Sequence, residues 1–237
     1  PGDLELPLDP TDLTLGPTDS IALREWLTKM EFNSWLRQLD DLNTASPAAS
    51  PVMTPSPSSS TLQRNYETVL SEAQFDQWMT RLQSADLFAF DTETDSLDYM
   101  SANIVGLSFA IEPGHGAYIP LRHCYMGVPE QLPAKSVLER LRPLLEDPNR
   151  FKVGQNLKYD AHVLNNAGIT LKGMRFDTML ESYTFDSTAS RHDMDSLANH
   201  YLSEKTQSYE DLTGKGVKQI PFAEVRIEEA THYAAED

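Results

Sequence analysis

The sequence has one cysteine, little positive charge and no apolar run of about 18 residues, the minimum for a membrane span. Cys124 cannot form an internal disulfide, which fits a protein of the reducing cytoplasm. The N-terminal PGDLELPLDP lacks the basic and apolar regions of a signal peptide, so we expect neither a leader nor a membrane span. Because the chain begins with Pro1 rather than Met, we also expect a processed product or a piece of a longer chain.

The shortage of positive charge bears on the possible partners. There are 19 Lys and Arg residues against 36 Asp and Glu residues, and the formal net charge is −17. Contacts to phosphate normally require Lys and Arg, which argues at first against nucleic acid. An enzyme that cuts phosphodiesters through metal ions, however, needs clustered carboxylates, and the bound cations reverse the local charge. Net charge therefore does not decide whether the partner is a nucleic acid.

Composition divides the chain of 237 residues into three parts. Pro or Ser occupies 10 of the 17 positions in TASPAASPVMTPSPSSS, residues 44–60, which indicates an extended linker. The preceding residues 1–43 carry apolar residues at helical spacing over 20–41, but they are too few for a stable domain. Residues 61–237 are long enough for one globular domain.

In the third part strands and helices alternate. The pattern predicts strands at 66–70, 87–93, 103–111, 116–120 and 151–154. It predicts helices at 71–84, 134–146, 157–166, 177–185, 195–203 and from about 224 to the end. Three strands in close succession indicate an antiparallel meander, and the whole is typical of a mixed α/β fold with a helix-flanked sheet.

The stretch FAFDTETDSLD places two acids, Asp91 and Glu93, directly after an apolar strand. Side chains two apart on a strand point to one side, so these carboxylates would repel each other unless a cation lay between them. Hard oxygen ligands of this kind suit Mg²⁺ or Mn²⁺. The alternative interpretation is a strand end that enters an acidic, solvated loop.

A metal site needs further acids, and two other places can supply them. Asp160 lies in the first turn of the helix at 157–166, near the positive end of the helix, although Asp is common in first turns without any function. Tyr233 and Asp237 are four apart on the last helix and share a face. That pair could orient a water molecule, or Tyr233 could be an ordinary half-exposed aromatic.

The motifs FAFDTETDSLD, SANIVGLSFAIEPG, KVGQNLKYD, FDTMLESY, RHDMDSLA and YAAED occur in this order. Over residues 65–237 the chain resembles the 3′–5′ proofreading exonuclease domain of bacterial family A polymerases, the DNA polymerase I family. Residues 1–43 are similar to the tail of the 5′-nuclease region in that family, followed by the linker at 44–60. The resemblance implies an α/β, ribonuclease H-like mixed sheet with an antiparallel meander flanked by helices.

The same resemblance implies a two-metal-ion exonuclease, with Mg²⁺ or Mn²⁺ as cofactor. Asp91 would bridge both ions, Glu93 and Asp237 would hold the ion on the nucleophile side, and Asp160 would serve the second ion through water. Tyr233 would orient the attacking water rather than act as a strong base, since tyrosine ordinarily titrates near pH 10.

The implied substrate is the 3′ end of single-stranded DNA, released one deoxynucleoside monophosphate at a time. The implied substrate contacts are Thr94, Leu97, Gln155, Asn156, Arg191 and Tyr209. Leu97 is either a wedge against a base or a buried core residue, and Tyr209 is either a stacking platform or a packed loop aromatic. Lys215 and Lys218 in GKGVK are more typical of a solvated loop than of a phosphate site.

Two alternatives stay open from the residues themselves: an RNA 3′-exonuclease with the same carboxylates, and a catalytically silent scaffold of a polymerase. The implied partners are the polymerase and 5′-nuclease domains of one parent chain, and we expect a cytoplasmic monomer. Because Asp237 is the last residue, we also expect the end of its helix to fray and its metal site to be weakened.

Overall fold

The computed structural model describes residues 19–30, 32, 35–36, 39, 64–188 and 191–236. The chain falls into two compact units, residues 1–59 and 60–237. The predicted linker at 44–60 and Asp237 lie outside the described residues. The assignment of three parts along the chain therefore stays a prediction.

In the first unit the structure describes the helix α1, Ser20–Lys29. The carboxylate of Asp19 caps this helix by accepting hydrogen bonds from the backbone N–H groups of Ile21 and Ala22. The helical spacing in the sequence predicted this element, and the structure confirms its first ten residues.

The second unit is built on one mixed sheet. Its strands are β1 (Asn65–Thr68), β2 (Leu87–Thr94), β3 (Ile104–Glu112), β4 (His115–Pro120), β5 (Phe151–Gly154) and β6 (Met174–Asp177). Its helices are α2 (Glu72–Ser84), α3 (Ala134–Leu145), α4 (Leu157–Asn166), α5 (Thr178–Phe185), α6 (Met194–Leu197), α7 (Tyr209–Thr213) and α8 (Ile227–Glu236). None of the described helices is long and apolar enough to cross a membrane.

The sheet has the order β1-β4-β3-β2-β5-β6. Strands β2, β3 and β4 pair antiparallel, which confirms the predicted meander. Strands β1, β5 and β6 are parallel to their neighbours β4, β2 and β5. The predicted α/β class, a mixed sheet with a meander flanked by helices, is confirmed.

Alternation along the strands divides the core between two faces of the sheet. Ala117 and Ile119 of β4 belong to a large apolar cluster with side chains of α2, α3 and α4, which we call the main core. Tyr118, between them, belongs to a smaller cluster with Phe222, Val225 and side chains of α8, which we call the α8 core. The helix α8 therefore lies on the sheet face opposite α2, α3 and α4.

Two predicted helices need correction, and two further elements were missed. The helix predicted at 195–203 is the short α6 followed by a wider π-helical turn, Ala198–Leu202, which ends at Ser203 in a left-handed conformation. The last helix begins at Ile227 rather than near Glu224, because a 3₁₀ turn at Phe222–Glu224 precedes it. Strand β6 and helix α7 were not predicted. Three of the four residues of β6 are exposed, and α7 has only five residues, so neither shows a clear pattern of buried apolar residues.

Candidate active site

Asp91 and Glu93 lie on β2 opposite Ser108 and Gly106 of β3. Ser108 in turn pairs with Tyr118 of β4, and paired residues on adjacent strands share a face. The two acids therefore face the α8 side of the sheet, while Phe88 and Phe90 of the same strand enter the main core. Asp91 is half-buried and Glu93 is only 8% exposed, so both carboxylates lie in a partly dehydrated environment.

A β-bulge shapes the strand next to these acids. Glu93 pairs with Gly106 but Thr94 pairs with Ile104, so Val105 is an extra residue on β3. The carbonyl of Val105 accepts hydrogen bonds from the backbone N–H groups of both Leu121 and Arg122. Bulges re-aim side chains where they occur, and here the bulge follows directly after the acidic pair.

A buried polar chain runs beneath Glu93. A Cβ atom at Gly106 would lie 2.0 Å from Oη of Tyr118, so only glycine leaves room for this tyrosine. Nδ1 of His123 donates to the carbonyl of Val225 at 2.9 Å, and Nε2 accepts from Oη of Tyr118 at 2.8 Å. This chain ties the sheet under the acids to the segment that leads into α8.

Burial and the negative charges of Glu93 and Asp91 change the pKa of Tyr118 in this polar chain. Burial, and then the carboxylates of Glu93 and Asp91, raise the pKa of Tyr118 well above its ordinary value. Burial lowers the pKa of His123, which keeps the imidazole neutral and able to accept the hydrogen bond from Tyr118. The surroundings of the acid pair are therefore strongly negative and contain neutral polar groups.

Asp160 reaches β2 from α4, on the side of the main core. Its Oδ1 atom accepts hydrogen bonds from the backbone N–H of Thr92 at 3.0 Å and from the Thr92 hydroxyl at 2.6 Å. The pairing of β2 with β5 ends at Ala89 and Val153, so Asp160 satisfies a strand edge that β5 no longer covers. The predicted position of Asp160 in the first turn of a helix after a strand is confirmed.

Burial raises the pKa of Asp160 to about 6, although the two hydrogen bonds from Thr92 oppose the shift. The side chain is only 1% exposed, and the charge of Asp177 adds to the shift. A buried carboxylate that is costly to ionise gains most from a nearby cation.

Tyr233 lies on α8, at the edge of the α8 core. Its ring contacts those of Phe222 and Tyr209, with centroid distances of 6.1 and 6.3 Å. Tyr209 and Phe222 stack nearly parallel, and burial followed by the charge of Glu93 raises the pKa of Tyr209. Tyr209 therefore lies on the short helix α7 near the acids, so the alternative of a packed aromatic in a loop is wrong.

The turn after β2 is held by a tyrosine that the sequence interpretation missed. Oη of Tyr159 donates to the carbonyl of Ser96 at 2.6 Å and shares a hydrogen bond with the hydroxyl of Thr94. The next residue, Leu97, is 94% exposed, so the interpretation of Leu97 as a buried core residue is wrong. A fully exposed leucine at the tip of a braced turn is available for contact with a ligand.

Gln155 and Asn156 lie between β5 and α4. The Gln155 amide donates to the carbonyl of His192 at 2.7 Å and accepts a hydrogen bond from the hydroxyl of Thr178, so it connects three segments. Asn156 has a left-handed backbone, with φ 60°, and its N–H group donates to Asp177. Both residues shape the start of α4, which carries Asp160.

The predicted basic contacts lie at the surface. Arg191 is exposed, and its Nε atom donates to Asp193 at 2.7 Å. Lys215 forms an ion pair with Glu210, and Lys218 is exposed in a 3₁₀ turn. Both lysines fit the expected solvated loop.

The described residues do not include a group of three His, Cys, Asp or Glu side chains that could hold a metal ion by themselves. Asp91 and Glu93 face α8, whereas Asp160 is bound to Thr92 at the strand edge. Asp237, which follows α8 directly, lies outside the described residues. The donor chemistry nevertheless fits Mg²⁺ or Mn²⁺, since every candidate ligand is a carboxylate and two of them, Glu93 and Asp160, are buried.

The residues that the sequence interpretation missed are Thr92, Tyr118, His123 and Tyr159. Thr92 could have been noticed, because it stands between the two acids and alternation turns its side chain to the other face of the strand. The partners of Tyr118, His123 and Tyr159 are remote in sequence or belong to another element. No local pattern reveals such partners.

Comparison with known proteins gives the same family as the sequence motifs. The family model described as 3′–5′ exonuclease matches residues 66–237. DNA polymerase I of Pseudomonas aeruginosa is 48% identical over 99% of this chain, and that of Rhizobium leguminosarum is 40% identical over 73%. The chain spans 26% and 18% of these two relatives, about a quarter of their length or less.

Among solved structures, RNase D of Escherichia coli, an exoribonuclease involved in structured RNA processing, aligns with 73% of this chain and 41% of its own. The TM-score is 0.51 and the sequence identity is 16%, a likeness that concerns the fold alone. The expected ribonuclease H-like fold is confirmed.

Proposed function

The chain belongs to the 3′–5′ exonuclease family of DNA polymerase I, and we propose that Asp91, Glu93, Asp160, Tyr233 and Asp237 form its active site. The observation that carries this proposal is the acidic pair on β2, which faces the helix that carries Tyr233. Thr92, which lies between the two acids on β2, donates two hydrogen bonds to Asp160 of α4. A third carboxylate therefore lies against the strand that carries the acidic pair.

Exonucleases of this family depend on divalent metal ions. Asp91, Glu93, Asp160 and Asp237 would hold two ions, Mg²⁺ or Mn²⁺. When bound, such ions supply charge stabilisation to the scissile phosphate, the attacking water and the leaving 3′ oxygen. The raised pKa of Asp160 supports this assignment, because a cation would offset the cost of its buried charge.

The protein's own groups would bind and orient the reactants. Tyr233 would hold the attacking water through its hydroxyl, and its ring is fixed by contacts with Phe222 and Tyr209. The neutral pair of Tyr118 and His123 would support β3 beneath Glu93. Positioning and charge stabilisation of this kind account for most catalysis of phosphoryl transfer.

The proposed substrate is the 3′ end of a single DNA strand, which leaves as deoxynucleoside monophosphates. Leu97 would lie against the terminal bases, a role supported by its exposure on a turn braced by Tyr159. Tyr209 would offer a stacking surface. The Gln155 amide is occupied within the protein, so we propose that Gln155 acts by orienting its loop. The remaining proposed contacts are Thr94, Asn156 and Arg191.

The polymerase and 5′-nuclease activities of the longer relatives are proposals for a parent protein of this chain. Residues 1–43 and 44–60 would then be the tail of the 5′-nuclease region and the linker that follows it. We propose that this parent is a monomer.

Digestion of matched oligonucleotides tests the proposed function. A 5′-labelled single-stranded DNA and an RNA of the same sequence are incubated with the 237-residue chain and Mg²⁺ or Mn²⁺. We expect the DNA to shorten stepwise from its 3′ end and the RNA to persist. Preferential digestion of the RNA would point to an RNA 3′-exonuclease. Digestion of neither strand would support a silent scaffold.

A further inference from the structure

The last turn of α8 contains a carboxylate in an unfavourable place. Glu236 ends the helix, where the helix dipole is negative, and its side chain is only 7% exposed. A negative charge that is both largely dehydrated and at the negative end of a helix destabilises that end unless other groups compensate it.

Two groups from different segments compensate Glu236. Nη1 of Arg64 donates to its Oε1 atom at 3.2 Å, and the backbone N–H of Gln207 donates to its Oε2 atom at 3.0 Å. Nη2 of Arg64 also donates to Glu204 at 2.5 Å, so the guanidinium joins two acids. We call Arg64, Glu204, Gln207 and Glu236 the Arg64 clamp.

The clamp continues a line of contacts between α8 and the start of the domain. The hydroxyls of Thr68 and Thr231 are 2.8 Å apart, and the ring of Tyr66 meets that of His232 edge-on at 5.4 Å. A Cβ atom at Gly116 would lie 2.8 Å from the carbonyl of Ala235, so glycine allows the last turn to lie against β4. The hydrogen bond from Arg64 to Glu236 is the last of these contacts, at the C-terminal end of α8.

We propose that Arg64, acting through Glu236, positions the metal-binding end of α8 and thereby raises the affinity for divalent ions. This inference rests on the proposed function, in which Asp237, the residue after Glu236, is a metal ligand. Arg64 is a positioning residue, since it acts on the site through Glu236 and the backbone that follows.

A surface ion pair without this role would behave differently. Arg140 provides a matched control, because it also joins two acids, Glu72 and Asp76, and its exposure is similar to that of Arg64. It connects α3 to α2, on the sheet face opposite α8. If ion pairs affected only general stability, Arg64→Met and Arg140→Met would have the same consequences.

The test is calorimetric titration of Mn²⁺ into the wild type and both variants, together with amide hydrogen exchange. We expect Arg64→Met to weaken Mn²⁺ binding about 10-fold, as is usual when the groups that orient a metal ligand are lost. We also expect the amides of residues 233–236 to exchange faster in Arg64→Met. Arg140→Met should match the wild type in both measurements.

A second variant separates the clamp from a simple loss of charge. Glu236→Gln keeps an acceptor for the N–H of Gln207 but loses the ion pair with Arg64. In this background Arg64→Met should add less than about 2-fold, because the two residues act as one unit.

Each outcome has a distinct meaning. Wild-type affinity and wild-type exchange in Arg64→Met would overturn this inference and leave the proposed function standing. A wild type that binds no Mn²⁺ would contradict the proposed site and this inference with it.

Discussion

The two faces of the sheet are packed by different chemistry. On one face, the main core joins aliphatic and aromatic side chains of α2, α3 and α4 in one continuous cluster. On the other face, the smaller α8 core lies beside Asp91 and Glu93, with Tyr118 and His123 buried as a hydrogen-bonded pair. The comparison teaches that the larger apolar core lies on one face, while the other face holds the charges of Asp91 and Glu93 beside buried polar groups.

The largest effect on activity should come from removing a charge of the proposed active site, that of Asp160, which meets β2 from the main-core side. Asp160→Asn keeps an oxygen that can accept both hydrogen bonds from Thr92, but it loses the negative charge. We expect the exonuclease rate to fall about 10³-fold, as for other lost electrostatic groups. The free energy of unfolding without metal should stay equal or rise, because a buried charge is gone. Single-turnover digestion measures the rate, and urea unfolding measures the free energy of unfolding. A variant that digests DNA at the wild-type rate would contradict the proposed role of Asp160.

The reverse result is expected in the main core. Leu141 of α3 is fully buried, and Leu141→Ala should lower the free energy of unfolding by about 2–5 kcal/mol. The digestion rate per folded molecule should not change, since α3 carries none of the proposed site residues. Urea unfolding and a rate corrected for the folded fraction test this. A rate loss well beyond the loss of folded protein would show that the two faces are coupled.

A buried lysine on the main-core side sharpens the comparison. Nζ of Lys152 donates to the carbonyls of Leu144 and Asp147 at the end of α3, and burial lowers its pKa to about 8. The unfolded chain, with a lysine pKa near 10.4, binds more protons between these values, so stability should rise with pH in this window.

We expect the wild type to gain about 1–3 kcal/mol relative to Lys152→Met as the pH rises from 8 to 10.5. Urea unfolding of both proteins at several pH values gives this difference. The comparison with Lys152→Met cancels the titration of other groups. A difference that does not change with pH would contradict the assignment.

The smallest effect on stability should come from Leu97. Because this side chain is 94% exposed, Leu97→Ala should change the free energy of unfolding by less than about 0.5 kcal/mol. The KM for single-stranded DNA should rise about 10-fold if Leu97 buries apolar surface against a base. Steady-state digestion with Met126→Ala, another fully exposed apolar residue, is the control. An unchanged KM would remove Leu97 from the proposed substrate contacts.

The sequence predicts most of this arrangement where the signal is local. The meander follows from three apolar runs in close succession, of which the last two flank the turn sequence Glu112-Pro113-Gly114. The placement of Asp91 and Asp160 follows from the end of a strand and the start of a helix. Strand β6 could not be predicted, because its four residues depend on pairing with β5. The roles of His123 and Tyr159 depend on partners brought near by the fold, Val225 for the one and Ser96 for the other.

The resemblance to a family supplied the roles of the site residues, the metal ions and the substrate, which local sequence patterns could not supply. For Leu97, neither the local pattern nor the resemblance decided whether the side chain is buried. The fold shows that it is exposed to solvent. Asp237 illustrates another limit, because its proposed role still depends on the resemblance and on its position after Glu236.

The most direct test of the account is whether the acids on β2 support digestion. A 5′-labelled single-stranded DNA is incubated with the wild type and with Asp91→Ala in the presence of Mg²⁺, and EDTA is added to a third sample. We expect a ladder that shortens from the 3′ end only in the sample with wild type and Mg²⁺. A ladder of the same rate with Asp91→Ala, once both proteins are shown to be folded, would contradict it.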